Sequence, residues 1–170
     1  MDFFEILSVI SFCLSTYLTL SKIYNSLVRM DIDILSAYKN PEIVFVKVSI
    51  NNKSTNPVAI TKAALVNQEN SISALATHYD RKIFSVSFKS NNEITGSNNI
   101  VASKIPINVP MKSATSFYLA FPTSKDEINQ LCTGKIRLEV KANGRKIYEE
   151  FDFNSKSFPR EQLKKEARQL

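Results

Sequence analysis

The residues that could do chemistry are few. The chain has one histidine, His78, followed by Tyr79 and Asp80, and two cysteines, Cys13 and Cys132. A Ser-His-Asp triad fixes no spacing in sequence, so His78 and Asp80 with some serine form one conceivable hydrolase. No Gly-x-Ser-x-Gly elbow accompanies them, and neither cysteine stands in a nucleophile motif. One histidine and two distant cysteines do not make a zinc cage. Asp31 and Asp33 have the spacing that opens a calcium loop. The central glycine and distal glutamate of that loop are missing, so the pair reads as a charged break. With 3 glycines in 170 residues, phosphate-cradling loops are absent too. The expectation is a non-catalytic protein without metal or cofactor.

The net charge of +6 raises nucleic acid as a partner. Lys135, Arg137, Lys141, Arg145 and Lys146 flank an Asn143-Gly144 pair and form a candidate basic surface, joined by the tail cations Lys156, Arg160, Lys164, Lys165 and Arg168. Glu139, Glu149 and Glu150 interleave with the first group, and no exposed aromatic run offers a stacking platform, so nucleic acid is disfavoured. Attraction of these cations to anionic lipid heads is the other use of such a surface.

The element that decides where any such surface is held lies at the start. From Ile6 to Ser21 no residue is charged. Counted from Phe3, about 19 residues make roughly 28 Å of helix, against a hydrocarbon core of about 30 Å. Phe3, Ile6, Val9, Ile10, Cys13, Tyr17 and Leu20 are the membrane-spanning candidates. Ser8, Ser11, Ser15 and Thr19 recur at spacings of three and four, line one helix face, and are candidates for pairing with a second helix. Hydroxyls are tolerated in such a helix by bonding back to its own carbonyls. A transmembrane helix is the leading reading. An interfacial helix would carry a charged face, and a helix covering a soluble domain would show a narrower apolar stripe. Asp2 and Glu5 precede the run and no small-x-small site follows it, which disfavours a cleaved signal peptide. Lys22 and Arg29 follow it, placing the C-terminal domain on the cytoplasmic side. Two unpaired thiols suit a reducing compartment.

The helix is expected to extend towards Met30, after which the period changes from helical to two. Residues 43–51, 58–66, 82–88, 116–121, 135–141 and 145–153 read as strands. Residues 71–79 read as strand or loop, and residues 90–99 as a long polar loop. Ile105, Ile107 and Val109 lie beside Pro106 and Pro110, which restricts them to an edge strand. Asn143-Gly144 is a two-residue hairpin signal. Asn52-Lys53-Ser54 matches a glycosylation acceptor, relevant only in a secretory lumen. The whole reads as residues 1–30 (apolar helix), residues 31–154 (antiparallel, immunoglobulin-like β-sandwich) and residues 155–170 (basic helix or tail, with Leu163, Ala167 and Leu170 as a thin apolar line).

Residues 48–60 (VSINNKSTNPVAI), residues 105–110 (IPINVP) and the strands flanking Asn143-Gly144 give a layout that resembles a loose group of small bacterial and phage-associated proteins. These pair one N-terminal hydrophobic helix with an immunoglobulin-like sandwich, and the resemblance implies no catalytic residues. The expected function is that of a membrane-anchored adaptor acting through a protein partner. The alternative is a soluble structural or interaction protein, such as a phage component, whose first helix packs in an oligomer. A homo-oligomer is open under both.

Overall fold

The computed structural model describes residues 3–26, 29–90, 93–157 and 159–169. Asp2, Phe158, Leu170 and the expected helical residues Leu27 and Val28 lie outside them, as do the side chains of Tyr24, Ser26, Phe88, Arg160 and Lys164.

A long helix, α1 (Phe3–Ser26), leads into β1 (Met30–Asn40). Met30 therefore opens a strand and does not close the helix, because its side chain is buried in the sandwich core. The chain continues through β2 (Ile43–Asn52), β3 (Val58–Asn67), β4 (Ile72–Leu75), β5 (Arg81–Ser90), β6 (Glu93–Ala102), β7 (Ile107–Val109) and β8 (Ser113–Pro122). It ends with α2 (Glu127–Leu131), β9 (Lys135–Ala142), β10 (Arg145–Asp152), α3 (Phe153–Lys156) and α4 (Arg160–Gln169). Mainly antiparallel β structure, with an apolar helix before it and a short helix after it, is the fold the strand periodicity anticipates.

Two sheets face each other. One has the order β1-β2-β8, the other β10-β9-β3-β4, and β7 and β4 share the remaining edge of β3. Alternation drives the packing: Val44, Val46, Val48 and Ile50 of β2 all point inward against Ile136, Leu138 and Val140 of β9 in one continuous core. The chain changes sheets at Ala76 and Thr77. Ala76 N–H donates to Ala63 O of β3 (2.9 Å), and Thr77 N–H donates to Ala120 O of β8 (2.9 Å).

Part of the opposite side of β1-β2-β8 is covered as well. Phe45, Tyr118 and Ala120, which alternation places outward, are buried under the β5-β6 hairpin (Ile83, Ile100, Ala102) and α4 (Leu163, Ala167). The described residues 93–99 are thus not a loop but the start of β6. Six of them, Glu93, Ile94, Gly96, Ser97, Asn98 and Asn99, pair with β5, and their polarity reflects a hairpin with only one covered face. The tail's apolar line is not solvated either: Leu163 and Ala167 are fully buried, and the Asn98 side-chain amide donates to Ala167 O (3.1 Å).

Two buried asparagines close the ends of the sandwich. Asn52, at the end of β2, donates through its amide to Asn56 O (2.9 Å), Val109 O (3.2 Å) and Pro110 O (2.9 Å), and accepts from Ser54 N–H. Asn67, at the end of β3, donates to Gln130 O, Leu131 O and Thr133 O and accepts from the N–H groups of Glu69 and Asn70. Each amide replaces backbone partners that a turn cannot supply. Asn52 is also the glycosylation acceptor of the sequence motif. Its amide is enclosed and fully bonded, so the folded chain presents no acceptor there.

Asn52→Ala leaves three carbonyls without their donor and should cost about 2–4 kcal/mol in chemical denaturation of the detergent-solubilised chain. Leu163→Ala should cost a similar roughly 2–4 kcal/mol if α4 is part of the core. A Leu163→Ala midpoint equal to the wild type would show that α4 contributes nothing to stability.

Candidate functional site

Two features remain once the core is accounted for: α1, and the outer face of the β10-β9-β3-β4 sheet.

In α1 the 21 residues Phe3–Ile23 are long and apolar enough to cross a membrane, and none of that stretch is buried against the domain. At 1.5 Å per residue they span about 32 Å. Glu5 in the first turn complements the helix dipole. Phe3, Ile6, Val9, Ile10, Tyr17 and Leu20 are all exposed, as is Cys13. Ser8, Ser11 and Ser15 are exposed too, and the Thr19 hydroxyl donates to Ser15 O at 2.8 Å. That bond satisfies the hydroxyl within the helix, as a low-dielectric surrounding requires.

On the sheet, Asn143 and Gly144 take up the left-handed conformation that a two-residue hairpin needs (φ 46° and 83°). Asn143 also ties the turn to β3, donating N–H to Ala59 O and accepting Ala59 N–H on its side-chain oxygen. The register then sorts the expected basic residues. Lys135 stands opposite Asp152, and Arg137 opposite Glu150, at the end of the hairpin away from the turn. Arg137 donates to Glu150 at 2.6 Å and stacks 4.5 Å from the Tyr148 ring centre. The hydrogen bond to Glu150 holds the guanidinium proton more firmly than usual. Lys141 and Lys146 face each other beside the turn, with Arg145 next to them. The five cations are therefore not equivalent: Arg137 is paired, Lys135 lies far from the turn, and three cluster near it.

Lys62 is the residue that sequence reasoning missed. It pairs with Lys141 across the β3-β9 ladder. Lys62, Lys141 and Lys146 line an open groove of about 210 Å³ together with Ala64, Val66 and Leu75. Only the register, set by long-range packing, brings Lys62 there.

The remaining chemical candidates stay apart. His78 is exposed, and the Asp80 carboxylate accepts from Lys104 N–H (3.2 Å), a role in holding the loop. Asp31 and Asp33 lie on the exposed side of β1, and Asp31 pairs with Lys53. Among the described residues no three His, Cys, Asp or Glu side chains form a metal-binding group. Cys132 is buried beside α2, and burial pushes its thiol up to about 11, with Lys39 opposing the shift.

No family model matches the chain, and no curated protein matches it. Solved structures overlap it loosely. The sporulation control protein Spo0M from Bacillus subtilis matches with a TM-score of 0.31 and 10% identity, over 74% of this chain and 48% of that one. The chain thus spans about half the length of that neighbour. The ligand binding region of serine-glutamate repeat protein A from Enterococcus faecium gives 0.34 and 14%, over 75% of this chain and 95% of that one. A protein from Archaeoglobus fulgidus gives 0.30 and 10%, over 74% and 91%. At such overlap the likenesses carry no functional argument.

The buried thiol yields a test. Cys132 should resist alkylation in the folded chain at pH 8 and react once the chain is denatured, as read by mass spectrometry. Its raised folded value also sets a sign. The stability it contributes is present below the ordinary thiol value of 9.0 and is lost as pH rises towards 11, because the unfolded chain ionises first.

Proposed function

We propose that this protein is a single-pass, membrane-anchored β-sandwich, immunoglobulin-like in strand count, that acts by binding another protein and catalyses no reaction. The observation that carries the reading is the exposure of α1. A 21-residue stretch that is apolar overall covers nothing in its own domain. Left in water, such a surface far exceeds what a soluble monomer exposes. A bilayer removes that cost, and the satisfied Thr19 hydroxyl suits the same setting.

Lys22 at the C-terminal end of the span and Arg29 beyond it favour a cytoplasmic domain. Tethering confines the sandwich to a thin layer beside the membrane and raises its effective concentration for a partner held there. The short β4 and β7 leave a sheet edge for such a partner, and the Ser8, Ser11, Ser15 and Thr19 face is suited to pairing with a second helix.

A second reading takes support from the same exposure: α1 helices of several copies pack together in water, as in a soluble structural assembly. Carbonate washing of cell membranes separates the two. The full chain should stay in the pellet. Recovery of a soluble oligomer would favour the second reading and sink the first. Deleting residues 1–28 should leave the thermal midpoint of the sandwich unchanged, since α1 buries nothing in it. A large fall would mean that the helix belongs to a core.

A further inference from the structure

The outer face of the β10-β9-β3-β4 sheet carries a charge arrangement that folding alone does not explain. Lys62, Lys141 and Lys146 stand in register on three adjacent strands, β3, β9 and β10. All three are exposed. Neighbouring strands are about 4.8 Å apart, and like charges directly opposite each other are destabilising. Elsewhere on the same hairpin the pairing is complementary, with Arg137 opposite Glu150 and Lys135 opposite Asp152. Among the described residues no carboxylate forms an ion pair with the three lysines. Glu139 lines the same groove, one step further along β9. Between the lysines and the edge strand the floor is apolar, made by Ala64, Val66 and Leu75.

The row lies at one particular end of the sandwich. Lys141 is two residues before the Asn143-Gly144 turn, and that turn is bonded to the start of β3. The start of β3 pairs with the end of β7, where Val109 O accepts from Asn52. Beyond Asn52, Lys53 N–H donates to Arg29 O at 2.8 Å. This is the end at which α1 arrives. The same end presents Lys112 and Met111, the latter 60% exposed, and its Asp31 is paired with Lys53. At the far end the loops hold Glu42, Glu69, Asp126 and Glu127, with Lys125 bridged to Glu42 at 3.4 Å. The domain is thus polarised, basic towards α1 and more acidic away from it.

We propose that the Lys62-Lys141-Lys146 row is the surface on which the domain rests on an anionic bilayer, with lipid phosphates as its counter-charges and Met111 and Lys112 touching the headgroup layer beside it. The proposal depends on the membrane-anchored reading. Given that reading, only residues 24–29 separate the span from β1, at most about 19 Å of chain. A separation of that order keeps the basic end near the reach of the surface potential, where each lysine is attracted individually. The apolar floor accommodates the lysine stems while their ammonium groups reach the phosphates.

The test uses the full chain in nanodiscs of phosphatidylcholine alone and of phosphatidylcholine mixed with phosphatidylglycerol. Amine acylation is read lysine by lysine by mass spectrometry. On the anionic discs, labelling of Lys62, Lys141 and Lys146 should fall about threefold or more, and high salt should reverse the fall. Lys39 and Lys125, at the far end, should label equally on both and serve as the internal reference. Lys141→Gln relieves the repulsion within the row and should fold at least as well, while lowering the protection of Lys62 and Lys146. Equal labelling on both discs, with the chain inserted, overturns this proposal and leaves the anchor intact. A chain that fails to insert overturns both. Protection by an added oligonucleotide on neutral discs, without protection by phosphatidylglycerol, assigns the row to nucleic acid and overturns the lipid assignment.

Discussion

Phe45 points away from the main core and is still only 1% exposed, so something has to cover it. With Tyr118 and Ala120 it turns the outer face of β1-β2-β8 into a second apolar surface. Burying a side chain such as Phe45 is worth about 1.5–3 kcal/mol, a large share of a domain's net stability. The β5-β6 hairpin and α4 exist to meet that demand. Neither has an apolar face broad enough to stand alone, and an isolated two-stranded hairpin is marginal in water. Docked together on one sheet, they make a third layer over Phe45, Tyr118 and Ala120, while Asp31 and Asp33 of β1 stay exposed.

That constraint determines which surfaces are left for interaction. One sheet of the sandwich is closed off by its own chain, including the outer edge of β8, where Thr77 and Ser103 donate to Ala120 O and Tyr118 O. The other sheet keeps its outer face open, and its residues there are lysines, glutamates, small apolar groups and one tyrosine. The two buried asparagines hold the loops at either end with amide bonds, so the ends of the strands are defined and the register does not slip. A fixed register makes the meeting of Lys62, Lys141 and Lys146 a permanent feature of the surface.

Local signals were legible where one face is wet and the other dry. The alternation of β9 and the Asn143-Gly144 turn needed no knowledge of distant residues. Legibility failed where coverage comes from elsewhere in the chain. Tyr118 and Ala120 read as outward, which is their direction, yet nothing nearby says that a hairpin and α4 will cover them. Residues 90–99 read as loop because a strand with a single covered side, rich in Asn and Ser, has the composition of a turn. Leu163 and Ala167 are two apolar residues among charges, too few to announce a docked helix. The basic residues were legible singly but their arrangement was not. Charge count gave equal standing to Arg137, which Glu150 pairs, and to Lys141, which pairs with no carboxylate among the described residues. Lys62 could not be found at all without the β3-β9 register.

The apolar helix was the plainest feature of the sequence, and the fold sharpens what it means. A helix that covered the sandwich would have competed for the same outer surface that the β5-β6 hairpin and α4 occupy. The part of it around Phe45 is already taken, and the apolar stretch of α1 is buried against nothing in its own domain. Its apolar residues are buried against nothing in the described chain, and the Thr19 hydroxyl is satisfied within the helix by Ser15 O. The connection to β1 is short, so whatever receives α1 also fixes which end of the sandwich lies next to it. The position of α1 and the open sheet face are therefore not independent features. The β5-β6 hairpin and α4 cover part of one sheet and leave the outer face of the other open, and the β3-β9-β10 register sets its lysines at the end where the helix arrives.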